Sequence, residues 1–152
     1  MRILIFISLA LAAAALAAGS ANAAGKSGFF KTQNNKIWCG WGYGGGSPGG
    51  GFVICGIKGG KLKPKPKNNC AKLGVDYVGN RIAFSARSKA QIIACAGDAG
   101  PFSDPSHTKV LKAGKTWSGG GMSCSVTTST VRCKNKVKHG FELHSNGAYQ
   151  RF

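Results

Sequence analysis

Four lysines stand at every second position between residues 61 and 67. Lys61, Lys63, Lys65 and Lys67 alternate with Leu62, Pro64 and Pro66. Proline lacks an N–H and has a fixed φ. The segment is therefore barred from the middle of a sheet and favours an extended, polyproline-like or edge conformation. The lysines would then form a basic comb for phosphate- or carboxylate-bearing polymers. The same composition also suits a solvated loop whose Lys and Pro discourage edge-to-edge pairing. Aromatic residues offer a second chemistry. Trp38, Trp41, Tyr43 and Phe52 border Gly44–Gly51, which is all glycine except Ser47 and Pro48. Aromatic rings beside flexible glycine can stack on sugars or bases. In the register argued below Trp41 faces inward, which leaves Trp38 as the exposed candidate. The glycine stretch lacks G-x-x-x-x-G-K-[ST] and leads into no helix, so it reads as a hairpin tip rather than a phosphate cradle.

Reaction chemistry finds less support. The 4 acidic residues are Asp76, Asp98, Asp104 and Glu142. Glycoside hydrolysis needs two carboxylates flanking one bond. Nothing in the spacing marks such a pair, and Glu142 is better matched to Arg151 in the register below. His139 and His144 fall in a strand region at a spacing that sends them to opposite faces, a poor arrangement for one metal. No C-x-x-C or H-x-x-x-H cluster occurs. No catalytic residue, metal ligand or cofactor is assigned.

Composition bounds the rest. Arg2, the apolar run Ile3–Ala18 and Ala21-Asn22-Ala23 have the layout of a bacterial-style secretory signal with an A-x-A cleavage site. The apolar run falls short of the ~20 residues a spanning helix needs. Residues 1–23 are read as a signal peptide and 24–152 as a single domain, secreted or periplasmic, with no transmembrane segment and expected as a monomer. Losing Arg2 leaves 20 of the 21 Lys and Arg against 4 acidic residues. Sixteen of those cations are Lys, which act as point charges and favour diffuse attraction to a polyanion over shaped recognition. All 6 cysteines lie beyond the signal. An even count in an exported chain implies a disulfide framework. Sequential neighbours are the expected pairs: Cys39–Cys55, Cys70–Cys95 and Cys124–Cys133.

The elements that must position these groups are short strands. Trp117–Phe141 is the clearest. With Cys124 opposite Cys133, Val126 faces Val131, and Met122, Cys124, Val126, Val131 and Cys133 share one face. Ser123, Ser125, Thr127, Thr130, Arg132 and Lys134 share the other. A two-residue turn at Thr128–Ser129 puts the cysteines on a non-hydrogen-bonded pair, where Cα atoms lie about 4.5 Å apart and a disulfide fits. Cys39 opposite Cys55 likewise sets Trp41 against Val53. Residues 24–28 read as a flexible lead-in. Leu73–Val78 and Ile82–Ala86 flank a hairpin signal at Gly79-Asn80. Gln91–Cys95 is a further strand, and Ala96–Lys109 reads as a loop. Val110–Leu111 and Thr116–Trp117 flank a turn at Ala113–Lys115. Asn146-Gly147 closes a last hairpin in which Glu142 meets Arg151, His144 meets Tyr149 and Phe141 meets Phe152. No long amphipathic helix follows the signal. The expected fold is all-β, an antiparallel sandwich or small barrel of short hairpins stapled by three disulfides.

These residues resemble a family of small exported bacterial domains known only as a domain of unknown function. The likeness runs through Phe30-x-Thr32, Ile37-x-Cys39, Cys55, Cys70 and Cys95-Ala96-Gly97-Asp98. It continues through Trp117 with Gly119-Gly120, Cys124, Cys133-x-Asn135 and His139-Gly140-Phe141 to Tyr149 and Phe152. The family usually has Pro, Ser, Gly and Asn between Thr32 and Ile37, where this chain has Gln-Asn-Asn-Lys. The segment Lys58–Lys67 also departs from it. The resemblance implies export and a cysteine-stapled domain, and no activity.

Three functions fit these observations, in this order. The first is non-catalytic binding of anionic polymers such as lipopolysaccharide, teichoic acid or nucleic acid, through Lys61, Lys63, Lys65 and Lys67 with Trp38. The second is a protein-interaction or inhibitor module with an acidic partner. The third is a small hydrolase.

Overall fold

β8 (Met122–Val126) and β9 (Thr130–Asn135) pair antiparallel, with Cys124 opposite Cys133 and Val126 opposite Val131. Thr127 closes the turn by accepting the N–H groups of Ser129 and Thr130 on its Oγ1. The two Cα atoms of the Cys124–Cys133 disulfide are 4.0 Å apart. The predicted face is buried: Met122, Cys124, Val126, Val131 and Cys133 are all in the core. The same rule builds β2 (Ile37–Tyr43) against β3 (Phe52–Ile57), where Cys39 meets Cys55 and Trp41 meets Val53. The third disulfide, Cys70–Cys95, ties the single-turn helix α1 (Cys70–Leu73) to β5 (Gln91–Cys95). All three expected pairings are present.

The computed structural model describes residues 25–44, 50–67 and 69–152. The predicted signal and its cleavage site, and most of the glycine tip, lie outside the described residues. The remaining strands are β1 (Lys26–Lys31), β4 (Tyr77–Ser85), β6 (Lys109–Val110), β7 (Thr116–Gly119), β10 (Gly140–His144) and β11 (Tyr149–Arg151). They form two sheets, ordered β5-β4-β3-β2-β1-β6 and β11-β10-β9-β8-β7. The sheets pack face to face as a sandwich. Phe84 of the first meets Phe141 of the second edge-on at 5.6 Å, and Trp117 of the second meets Trp41 and Phe30 of the first at 5.1 and 6.2 Å. Two of the disulfides, Cys39–Cys55 and Cys124–Cys133, are wholly buried in this core. Loop-closure entropy assigns each disulfide about 3 kcal/mol of stability.

Five local expectations need correction. The lead-in is β1 from Lys26 onward, paired with β2. Leu73 ends α1 rather than starting a strand. Gly79-Asn80 is no turn: β4 runs straight through it with a bulge, in which Tyr77 to Arg81 oppose only Cys95 to Ile93. The bulge holds two extra residues, and Gly79, with a φ of 54°, takes its left-handed turn without strain. Val110 and Thr116 do not pair with each other, because β6 joins β1 in parallel while β7 belongs to the other sheet. The last hairpin has a three-residue loop, Ser145–Gly147, with Gly147 at a φ of 95°. Its register therefore slips by one: Glu142 meets Gln150, Leu143 meets Tyr149 and Phe141 meets Arg151.

Gly140 is required by packing rather than by its φ, since a Cβ there would run into the carbonyl of Cys133 on the neighbouring strand. Gly140→Ala is expected to cost about 2 kcal/mol or more in urea unfolding. Gly114→Ala, at positive φ but with nothing within 4 Å of a Cβ, should cost only about 1 kcal/mol. Equal losses would refute this account of Gly140.

Candidate functional site

The lysine comb is built into the sandwich. Leu62 and Pro66 are buried, while Lys61, Lys63, Lys65 and Lys67 are exposed. The Leu62 N–H donates to the Gly79 carbonyl of β4, and the Lys63 N–H donates to the Gly147 carbonyl of the β10–β11 loop, each at 2.8 Å. The comb thus crosses from one sheet to the other. The Lys61 amine donates to the Val78 carbonyl. The Lys61 and Lys65 amines each lie 5.3 Å from the ring centre of Tyr77, within cation–π range.

Trp38 is placed differently from expectation. Only 1% of it is exposed. Its indole N–H donates to the carbonyl and side-chain oxygens of Asn35, and Phe102 packs against its ring at 6.0 Å. The reason is that the outer face of β2 is also covered, by the turn at Gly100–Phe102. The amines of Lys31 and Lys58 stand 4.6 and 4.3 Å from the Trp38 ring. The ring therefore orients two further cations and presents no open stacking platform.

Charge is unevenly paired. Among the described residues the ion pairs are Arg81–Asp98, His107–Asp104, Arg132–Glu142 and His144–Glu142, and none uses a lysine. Hydrogen bonding from Arg132, with smaller help from His144, holds the Glu142 carboxyl below the ordinary glutamate pKa. Bonds from His107 and Ser106 do the same for Asp104. Thr130, His144 and Glu142 also stand in the order of a nucleophile relay, at 3.2 and 3.0 Å. Arg132 draws on the same carboxylate at 2.7 Å, and all four lie on the solvent face of one strand pair. The Asp98 and Asp104 sites lie elsewhere in the chain. Among the described residues no three of His, Cys, Asp and Glu gather as metal ligands.

Two surface features escaped the sequence reading. One is an apolar cavity of about 360 Å³ on the outer face of the first sheet, walled by Phe29, Phe52, Ile54 and Ile93 over Gly40 and closed by the Arg81–Asp98 pair. Only the pairing of strands β1 to β5 brings these residues together. The other is a second basic row, Arg132, Lys134, Lys136 and Lys138, all exposed. Its signal was legible: it has the same every-second-residue spacing as the comb.

The family model described as "Family of unknown function (DUF6636)" matches residues 4–150. The chain belongs to this family. The resemblance to a domain of unknown function is thereby borne out. No curated protein and no solved structure matches the chain. For this DUF6636 chain the physical observations therefore carry the functional argument. The three disulfides fit an extracellular or periplasmic setting. No helix among the described residues is long and apolar enough to cross a membrane.

Two measurements test the site's construction. The amides of Leu62 and Lys63 should exchange hydrogen far more slowly than those of Lys61 and Lys65, and uniformly fast exchange would mean the comb is detached. The second is a pH profile. Because the folded pKa of Glu142 is lowered, its stabilisation is complete above the ordinary glutamate value and is lost as pH falls through the lowered one. Glu142→Gln should therefore be less stable than the parent at neutral pH, and the gap should close in acid.

Proposed function

We propose that this protein is a non-catalytic binding module for anionic polymers of the cell envelope or its surroundings. One observation carries the reading: the comb's backbone is anchored to both sheets while its four lysines stay exposed and without a carboxylate partner. A lysine that neutralises no carboxylate of its own chain is available to neutralise a phosphate. Lys31 and Lys58, held over Trp38, extend the cationic surface. Secretion or periplasmic delivery after cleavage near Ala23 belongs to this proposal, and the disulfides support it. Binding would be salt-sensitive and only weakly selective, because ammonium groups read charge more than shape.

A protein-interaction module is the second reading. The apolar cavity beside Phe52, which is 47% exposed, favours it. The partner would be acidic, since the chain carries a net charge of +17.

The test uses oxidised protein beginning at Ala24 and a variant with Lys61, Lys63, Lys65 and Lys67 all changed to Ser. Both are titrated with lipopolysaccharide, teichoic acid and duplex DNA across a salt series. On DNA, each lysine that contacts a phosphate contributes about 0.9 to the log–log salt slope, so the variant should lose up to about 3–4 units. Equal slopes and affinities for the two proteins would remove the comb from the binding surface. Saturable binding to one acidic protein, unaffected by the variant, would favour the second reading.

A further inference from the structure

The outer face of the second sheet carries a lattice that the comb does not share. Strand pairing sets Thr116 beside Ser125 and Ser125 beside Arg132, which in turn faces Glu142 on β10. One step along, it sets Ser118 beside Ser123 and Ser123 beside Lys134. Each row reads hydroxyl, hydroxyl, cation across β7, β8 and β9. Neighbouring strands lie about 4.8 Å apart, and the two rows are about 7 Å apart along the strands. A cavity of about 370 Å³ is lined by those six residues, Thr116, Ser118, Ser123, Ser125, Arg132 and Lys134. A second, of about 500 Å³, shares Ser118, Ser123 and Lys134 with it and adds Asn135, Lys136 and Lys138. The shared residues make the two one trough.

The two rows differ in what remains free. Arg132 is committed: it bonds Glu142 at 2.7 Å and lies 4.3 Å from the ring of Phe152. Ser125 donates to the Arg132 carbonyl. In the other row Lys134 has no ion pair, and the hydroxyls of Ser118 and Ser123 have no protein partner among the hydrogen bonds of the described residues. No carboxylate lines either cavity, and Glu142 lies one strand beyond, matched by Arg132 and His144. The trough therefore offers an ammonium and two hydroxyls on rigid strands, followed by Lys136 and Lys138.

We propose that this trough is a binding site for phosphodiester-linked polyols, with Lys134, Ser118 and Ser123 holding one phosphate and its neighbouring hydroxyl. A hydroxyl both donates and accepts, so Ser118 and Ser123 can serve a phosphate oxygen and a polyol hydroxyl in turn. Lysine supplies the point charge that a phosphate accepts. Lys136 and Lys138 meet the next charges along the polymer. Single-stranded nucleic acid is the poorer fit: such sites add aromatic platforms for the bases, and no aromatic side chain lines this trough. The site stands on β7–β9 and does not depend on the comb.

The experiment uses the oxidised protein with three variants: Ser118→Ala with Ser123→Ala, Lys134→Gln, and the four-lysine comb variant. Each is titrated calorimetrically with a glycerol-phosphate oligomer, with inorganic phosphate and with a thymidine oligomer of matched charge. Amide chemical shifts locate the contact. The glycerol-phosphate oligomer should shift the amides of Ser118, Ser123 and Lys134 in the parent and equally in the comb variant. The double serine variant should bind it about five-fold or more weakly with an unchanged salt slope, because hydroxyls are lost and no charge is. Lys134→Gln should weaken binding and flatten the slope by about one unit. Inorganic phosphate should shift the same three amides more weakly. Parent-like binding by the serine variant would overturn the site, as would a thymidine oligomer binding equally well at the same amides. Shifts confined to residues 61–67 would overturn it while leaving the comb reading standing, and the reverse pattern would do the opposite.

Discussion

Register is the constraint on which the rest of this molecule depends. A strand exchanges every side chain between core and solvent when it slips by one residue. In a sandwich whose outer faces carry so many cations, such a slip would bury lysine and expose valine. Two disulfides forbid it, one in each sheet. Cys39–Cys55 and Cys124–Cys133 each join residues that stand directly opposite one another, and both are buried in the core. Each bond therefore holds its hairpin in the pairing that sends Val53, Val126 and Val131 inward. The same pairing sends Ser123, Ser125, Arg132 and Lys134 outward. The chemistry of the surface is in this sense a consequence of where the cysteines lie.

This also explains which parts of the fold were legible. The Cys124–Cys133 hairpin could be read to the residue, because period-two burial, a two-residue turn and the disulfide geometry all demand one register. The two glycine signals that misled are Gly79-Asn80 and Asn146-Gly147, and they share a cause. The comb crosses the sandwich at both. The Gly79 carbonyl accepts from Leu62, and the Gly147 carbonyl accepts from Lys63. A Cβ on Gly147 would run into the Lys61 carbonyl. These glycines serve a close approach by a distant segment as much as a local turn. Local sequence holds the glycine but not the partner that needs it, so a bulge looks like a turn and a three-residue loop like a two-residue one.

The candidate site was legible in its residue types and not in its surroundings. Alternating lysines are visible in the sequence, and their exposure follows from the burial of Leu62 and Pro66 between them. That Leu62 would anchor the comb to β4 was not visible, because β4 was not recognised as continuous. Trp38 shows the opposite failure. Alternation from Trp41 puts it on the outer face of β2, but an outer face is exposed only where nothing covers it. The turn at Gly100–Phe102 comes from a stretch rich in Gly, Pro and Ser, and no periodicity announces that it will fold back over β2 and β3.

The distribution of charge gives the frame its significance. A net charge of +17 opposes folding through self-repulsion, and three of the four carboxylates, Asp98, Asp104 and Glu142, are engaged with arginine and histidine rather than lysine. Three disulfides cross-link the strands that carry this charge, and among the described residues the lysines are left without carboxylate partners. Their backbones are nonetheless ordered: Lys134 sits on a paired strand, and Lys63 donates its N–H to the opposite sheet. A cation on an ordered backbone loses less freedom on meeting a phosphate than one on a loose chain, so more of the electrostatic attraction survives as affinity. A disordered lysine tail of the same charge would attract polyanions without fixing the spacing of its cations. In this sandwich the spacing is set by strand geometry, and where the row of Ser118, Ser123 and Lys134 lies beside that of Thr116, Ser125 and Arg132 it is set in two dimensions.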